Sequence, residues 1–177
     1  MKSRTFAAAV AFALSATAAA AQTPAVTKAS IPGVVNFAKV ETTVACAGAT
    51  SPAALAGIKS MGYNSVINLR TVGENGFDAD AEVAAAKAAG ITYVHLPFNA
   101  QSPDPALVDN FLKAITDKAN QPAFIHCASA NRAAALWMIK RIAVDKWDVD
   151  KATEEATALG LTSPALKTFA IEQAKKH

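Results

Sequence analysis

Short apolar segments rich in β-branched residues alternate with helix-length segments that carry their own start and stop signals. This alternation is what most constrains the fold. Residues 39–46 (with Val40, Thr42, Thr43 and Val44), 64–69, 91–96 and 123–126 read as strands. Ser51 and Pro52 supply an N-cap and a first-turn proline before Leu55, Ile58 and Met61, and Gly62 stops that helix. Asp78 opens a helix over 78–89, with acidic residues in its first turn and Gly90 behind it. Pro105 opens another through 118, with Leu107, Phe111, Leu112 and Ile115 on one side. Further helices are expected at 131–144, 148–159 and 163–174, with Asp148 and Ser163 as N-caps. The alternation predicts an α/β fold of three layers, a mainly parallel sheet of four or five strands flanked by helices.

The start of the chain has a different character. Lys2 and Arg4 form a basic head, residues 5–20 are small or apolar without charge, and Ala19-Ala20-Ala21 precedes Gln22 as a small-x-small cleavage pattern. Residues 1–21 are therefore expected to be a cleaved secretory signal, residues 22–35 a loose leader with Pro24, Pro32 and Gly33, and 36–177 a single domain. The apolar run is alanine-rich and makes a weak permanent span. The expected location is periplasmic or secreted, with no membrane span after signal removal. Losing Lys2 and Arg4 from 17 basic residues leaves 15 against 14 acidic ones. That near-neutral balance, with no basic run interleaved with aromatics, argues against a nucleic-acid partner. Neither Cys46 nor Cys127 has a second ligand at zinc spacing, so no metal is expected.

The chemistry concentrates in His126-Cys127-Ala128-Ser129-Ala130-Asn131-Arg132, which leads from the fourth strand into a helix. Ligands of open α/β sheets sit at the carboxyl ends of strands. There the loop N–H groups and the helix N-terminus form an anion cradle, a field that favours a thiolate at Cys127. Arg132 adds a fork that grips two oxygens of an oxyanion. Ala128, Ser129 and Ala130 are small enough for close backbone approach, Ser129 offers a hydroxyl to sulfur or ligand, and Asn131 tolerates a positive φ better than most residues do. The alternative for Cys127 is a buried structural cysteine. Arg70, at the end of another strand, could join the anion site or brace its loop through Glu74. Cys46 could be a buried free thiol or a redox partner of Cys127.

The His-Cys-x-x-x-x-Arg run after a strand resembles the signature of cysteine-dependent phosphatases of the dual-specificity and tyrosine type. The likeness extends to Ser51-Pro52-Ala53-Ala54-Leu55, to Gly62-Tyr63-Asn64-Ser65-Val66-Ile67-Asn68-Leu69-Arg70, to Ile91-Thr92-Tyr93-Val94-His95-Leu96-Pro97 and to Trp147-Asp148-Val149-Asp150-Lys151-Ala152. These stretches resemble a bacterial branch known as beta-lactamase-hydrolase-like. The resemblance implies a phosphatase-like fold, a phosphocysteine mechanism with Cys127 as nucleophile and Arg132 as phosphate binder, an organising role for His126, and no cofactor.

Three departures qualify that implication. Four residues separate Cys127 from Arg132 where the usual phosphatase signature has five; rhodanese sulfurtransferases share the shorter length. Ala130 stands where the family favours Gly, and Ala133 where Ser or Thr is usual. The loop that holds the family's acidic Asp reads Asn99-Ala100-Gln101-Ser102 here. Asp104 is the nearest acid, with a helix N-cap as its simpler role, and Glu74, Asp78 and Asp80 are weaker candidates. General acid help is worth ~10²–10⁴-fold, so the expectation is a phosphatase-like hydrolase weak on ordinary phosphoesters. A sulfurtransferase carrying a Cys127 persulfide and a non-catalytic oxyanion- or partner-binding module are the alternatives. The expected partner is a phosphorylated or sulfur-bearing small substrate or protein.

Overall fold

A computed structural model describes residues 26–40, 42–104 and 106–177. The expected signal segment and the helix-opening Pro105 lie outside the described residues. Six strands form one sheet in the order β1-β2-β3-β6-β4-β5: β1 Val26–Lys28, β2 Ala38–Val40, β3 Val44–Ala47, β4 Ser65–Asn68, β5 Thr92–His95 and β6 Ala123–His126. β3, β6, β4 and β5 run parallel, while β1 and β2 add an antiparallel edge. The mainly parallel sheet expected from the alternation is present, with two more strands than the four legible in the sequence.

Both additions have a local cause. The segment 39–46 is a hairpin rather than one strand: Thr43 N–H and Oγ1 both donate to the Val40 carbonyl, turning the chain between β2 and β3. The supposed loose leader is not loose over its described part, because Val26 pairs with Val40 and Lys28 with Ala38 at the edge of the sheet. Alternation of apolar residues is too short in 26–28 to announce a strand; the neighbouring edge recruits it.

The helices follow their punctuation. α1 (Leu55–Ser60) continues a 3₁₀ turn at Pro52–Ala54. α2 (Ala79–Ala89) starts where the Asp78 carboxylate accepts from Ala81 N–H and stops at left-handed Gly90. α3 is Ala106–Thr116, α4 Asn131–Ala143, α5 Val149–Leu159 and α6 Pro164–Ala174. Asp148 and Ser163 cap α5 and α6 as expected. α4 is buried on nearly every side, from Ala133 through Ile139, because α3, α5 and α6 cover it on the sheet face that also carries Cys46, Ile125 and Cys127. Trp137 and Met138 are core residues there. Buried Glu155 accepts from Trp137 Nε1 at 2.6 Å and from Arg141 at 2.7 and 3.0 Å, tying α5 to α4. A smaller core of Phe37, Leu55, Ile58, Tyr63, Val66 and Phe124 fills the other face under α1 and α2. The parallel register sets the carboxyl ends of β3, β4, β5 and β6 on one edge, and all site residues discussed below come from or beside that edge.

Candidate active site

β6 delivers Cys127 to the sheet edge, and α4 begins only four residues later. Cys127 is fully buried, and its N–H donates to the Ala47 carbonyl of β3 at 3.2 Å. The loop then hugs β3: Ala49 N–H donates to the Ala128 carbonyl at 2.9 Å. Only a glycine fits opposite it at position 48, where a Cβ would sit 2.9 Å from the Ala128 oxygen. The N–H groups of Ala128, Ser129, Asn131 and Arg132 donate to no carbonyl outside the helix among the described residues. With the α4 N-terminus they form the donor set of an anion cradle.

The tight turn falls on Ala130 (φ 78°), not on Asn131. Asn131 is the first helical residue of α4, and its Oδ1 accepts from Thr162 and Ser163 N–H at 2.7 and 2.9 Å. It therefore ties the loop to the start of α6. Ala130 tolerates its position because Gly160, the left-handed end of α5, stands opposite: a Cβ there would approach the Ala130 methyl to 3.0 Å. Ser129 is exposed and accepts from Asn131 Nδ2, so its hydroxyl faces the ligand side rather than the buried sulfur.

Arg132 is held in one orientation. Nη1 and Nη2 donate to the two Glu74 oxygens at 2.6 and 2.8 Å, and Nη1 also reaches the Leu69 and Phe98 carbonyls at 3.1 and 2.8 Å. The end of the guanidinium is thus occupied, whereas Nε and the second Nη2 hydrogen meet no oxygen acceptor among the described residues, and the Cys127 thiol is the remaining side-chain partner. That free side edge is the one that can take two oxygens of a phosphoryl group. Burial works against the Arg132 charge, but Glu74 and neighbouring Cys127 outweigh it and raise its pKa. Burial likewise works against the Glu74 carboxylate, yet bonds from Arg132 and Thr71 bring its pKa down to about 2.

Arg70 is a brace. It is buried, its Nε bonds Glu74 at 3.3 Å, and its Nη groups bond the Gly76 and Asn75 carbonyls at 3.2 and 2.6 Å. It fixes the β4–α2 loop that presents Glu74, and it does not line the cavity above Arg132. Asp104 likewise does not reach that cavity. Its Oδ1 accepts from Ala106 N–H at 2.8 Å at the head of α3, and it borders a separate cleft with Val108 and Phe169. As an acid it is corrected to a cap: the Ala106 N–H claims its carboxylate and the Leu107 N–H its backbone carbonyl. Asp78 is likewise a cap. The cavity itself, about 470 Å³, is lined by Arg132, Glu74, Thr71, the 98–101 loop, Ser129, Asn131 and the start of α6.

A second polar group lies behind the loop, on the opposite face of the sheet. Glu82 of α2 is 1% exposed and accepts from Tyr93 OH at 2.7 Å and from Asn68 Nδ2, which also donates to Tyr93 OH. His126 Nε2 lies 3.2 Å from the other Glu82 oxygen. Burial would raise the Glu82 pKa, but His126, Tyr93 and Asn68 together lower it. Asn68 Oδ1 in turn accepts from Arg70 N–H at 2.7 Å. The organising role implied for His126 thus has a physical form, and Glu82 is the residue that sequence reading passed over as a helix-dipole acid. The signal was a row of polar residues at sheet-facing positions: register sets His126, Asn68 and His95 side by side across β6, β4 and β5.

Cys46 and Cys127 are both free and buried on one face of neighbouring strands. Cys46 pairs with Ile125, two residues short of Cys127. Strand geometry then separates the two Cα atoms by roughly 8 Å, beyond the about 7 Å that a disulfide closes without backbone movement. Burial, with the charges of Cys127 and Glu155, holds the Cys46 thiol well above its ordinary pKa. It is a packing thiol rather than a redox partner. Among the described residues no cluster of His, Cys, Asp or Glu could hold a metal ion, and no helix is long and apolar enough to cross a membrane.

A parallel sheet that feeds a buried cysteine into an N–H cradle, with an arginine locked beside it, defines the class of cysteine-based phosphatase-like proteins. Within that class the chain belongs to the family described as "Beta-lactamase hydrolase-like protein, phosphatase-like domain", which it matches over residues 36–144. The Beta-lactamase hydrolase-like protein of Xylella fastidiosa (strain Temecula1 / ATCC 700964) is 37% identical over 83 residues, 46% of this chain and 19% of the relative. The chain thus spans about a fifth of the length of the curated relatives it matches. Among solved structures, TpbA of P. aeruginosa superposes with a TM-score of 0.63 at 21% identity, covering 85% of this chain and 89% of that one. The core catalytic domain of the PP-IP phosphatase SIW14 of S. cerevisiae gives 0.64 at 16% identity, covering 80% and 89%. The short Cys-to-Arg spacing that suggested a sulfurtransferase therefore sits on a phosphatase-like fold.

Proposed function

We propose that the chain hydrolyses phosphate monoesters through a phosphocysteine. Cys127 attacks phosphorus as the thiolate while the loop N–H groups and the free edge of Arg132 hold the non-bridging oxygens. The bond to the leaving oxygen breaks, and water then splits the P–S bond, returning the thiolate and inorganic phosphate. The carrying observation is Arg132: Glu74 takes the end of its guanidinium and leaves the side edge free of oxygen acceptors beside Cys127. Preorganised donors of this kind act on charge that develops in the transition state. TpbA has been crystallised with pTyr, and SIW14 is described as a PP-IP phosphatase, which supports a phosphorylated substrate. The sequence pattern of residues 1–21 supports export, with the reaction in the periplasm.

The test is release of phosphate from an aryl phosphate by the wild type and by Cys127→Ser. The wild type is expected to turn over and to yield a phosphorylated Cys127 on rapid acid quench; the variant is expected to show neither. Cyanide-dependent thiocyanate formation from thiosulfate at a higher rate than phosphate release would overturn the proposal.

A further inference from the structure

The leaving-group side of the cavity is chemically specific. A phosphoester oxygen normally departs with a proton from an acid placed beside it. Among the described residues Glu74 is the one carboxyl lining the cavity, and Arg132 holds it ionised, with a pKa of about 2. Asp104 and Asp78 are spent on helix caps, and Glu82 is sealed behind the sheet. Positions 1–25 contain no Asp or Glu. Among the described residues no histidine lines the cavity either.

What is present instead is a set of neutral donors. Asn99 Oδ1 accepts from Gln101 N–H at 3.0 Å, which leaves the Asn99 amide N–H groups unused. Ser163 Oγ accepts from Leu166 N–H, so its hydroxyl hydrogen remains available. These groups can stabilise a departing oxygen that is already an anion, and they cannot protonate one. Among the described residues the cavity also carries a single cation, Arg132, whose charge Glu74 already opposes. A substrate bearing several phosphates finds no second positive group there.

We infer that the site is built for acyl phosphates, mixed carboxylic–phosphoric anhydrides whose leaving group is a carboxylate needing no proton. This rests on the phosphocysteine reading above. The Cys127 thiolate attacks phosphorus, the P–O bond breaks with its electron pair going to the carboxylate oxygen, and Asn99, Gln101 and Ser163 receive that oxygen by hydrogen bonds. Water then adds to phosphorus as the P–S bond breaks, giving dihydrogen phosphate and the thiolate, so no acid is consumed in either step.

The experiment is a leaving-group series on the intact chain: acetyl phosphate, aryl phosphates of graded phenol acidity, phosphoserine and inorganic pyrophosphate, each with Cys127→Ser as control. kcat/KM is expected to fall steeply with leaving-group basicity, acetyl phosphate exceeding phenyl phosphate by at least about 10²-fold, the lower bound of what a missing acid costs. Asn99→Ala is expected to lower turnover of acetyl phosphate. A flat series overturns the inference and leaves the phosphatase reading intact, because it reveals a proton donor. Pyrophosphate turning over as fast as acetyl phosphate overturns the assignment to acyl phosphates. No Cys127-dependent turnover of even the most activated aryl phosphate would sink the phosphatase reading itself, and this inference with it.

Discussion

Two glutamates brace the same loop from opposite sides, and their environments separate what each does. Glu74 stands in the cavity, its side chain 21% exposed, and grips Arg132, the proposed phosphate binder. Glu82 is buried on the sheet-facing side of α2 and contacts His126, which precedes Cys127 but does not line the cavity. Both are held ionised against burial by their partners. The shared direction of the shift conceals a division of labour. The front pair orients the donor proposed to hold the phosphoryl group, and the back pair anchors a buried polar network in which Asn68 and Tyr93 depend on Glu82 as acceptor.

The largest expected effect tests the front. Arg132→Lys keeps the charge but loses the planar fork and its free edge, so kcat/KM is expected to fall about 10²–10³-fold, the scale of losing an oxyanion donor. Thermal unfolding should move little by comparison. A large drop in melting temperature with activity preserved per folded molecule would reverse the two roles.

The back is tested next. Glu82→Ala removes a buried carboxylate, strands Asn68 and Tyr93 and takes from His126 its only charge partner among the described residues, with an expected loss of about 3–5 kcal/mol in chemical denaturation. Glu82→Gln, which keeps an accepting oxygen, should recover part of it. If Glu82→Ala left stability unchanged while kcat fell, the back pair would be acting on chemistry and the division would fail.

Glu74→Gln gives the smaller version of the front effect. Arg132 retains a partner but loses a charge-assisted pair, and a partly exposed pair is worth about 1 kcal/mol or less. Its pH signature is sharper than its size. The folded pKa of about 2 lies below the ordinary value of 4.5, so the contribution is full above about pH 4.5 and is lost as pH falls toward 2. Urea midpoints measured across that window should therefore fall less steeply in Glu74→Gln than in the wild type. Glu82, shifted in the same direction, keeps part of the slope in both proteins.

The difference between front and back also explains what was legible in the sequence. Cys127 and Arg132 are read together because four residues separate them and one strand–helix junction positions both. The helix ends at Asp78, Gly90, Asp148 and Ser163 are likewise local, each set by its own capping residue and one turn of backbone. The Glu82 network joins α2, β4, β5 and β6, and no spacing along the chain links residue 82 to residue 126. Asn131 illustrates the same limit. It reads as a residue suited to positive φ, but its carbonyl oxygen is claimed by N–H groups 31 and 32 positions away. The β2–β3 hairpin was hidden in a run of β-formers because its turn contains no Gly or Pro.

Ala130 offers the smallest and most local test, since it lies between the two braced ends of the loop. A methyl-bearing residue at φ 78° carries backbone strain, and its Cβ is accommodated only because Gly160 has none. Ala130→Gly removes that strain but gives the unfolded chain more freedom, which works in the other direction. The strain outweighs the entropy where φ is positive, so the variant is expected to gain up to about 1 kcal/mol in urea denaturation. A loss of stability would mean that the left-handed turn is imposed at no cost by Arg132 on one side and His126 on the other. The two glutamates would then determine the backbone between their partners as well as the partners themselves.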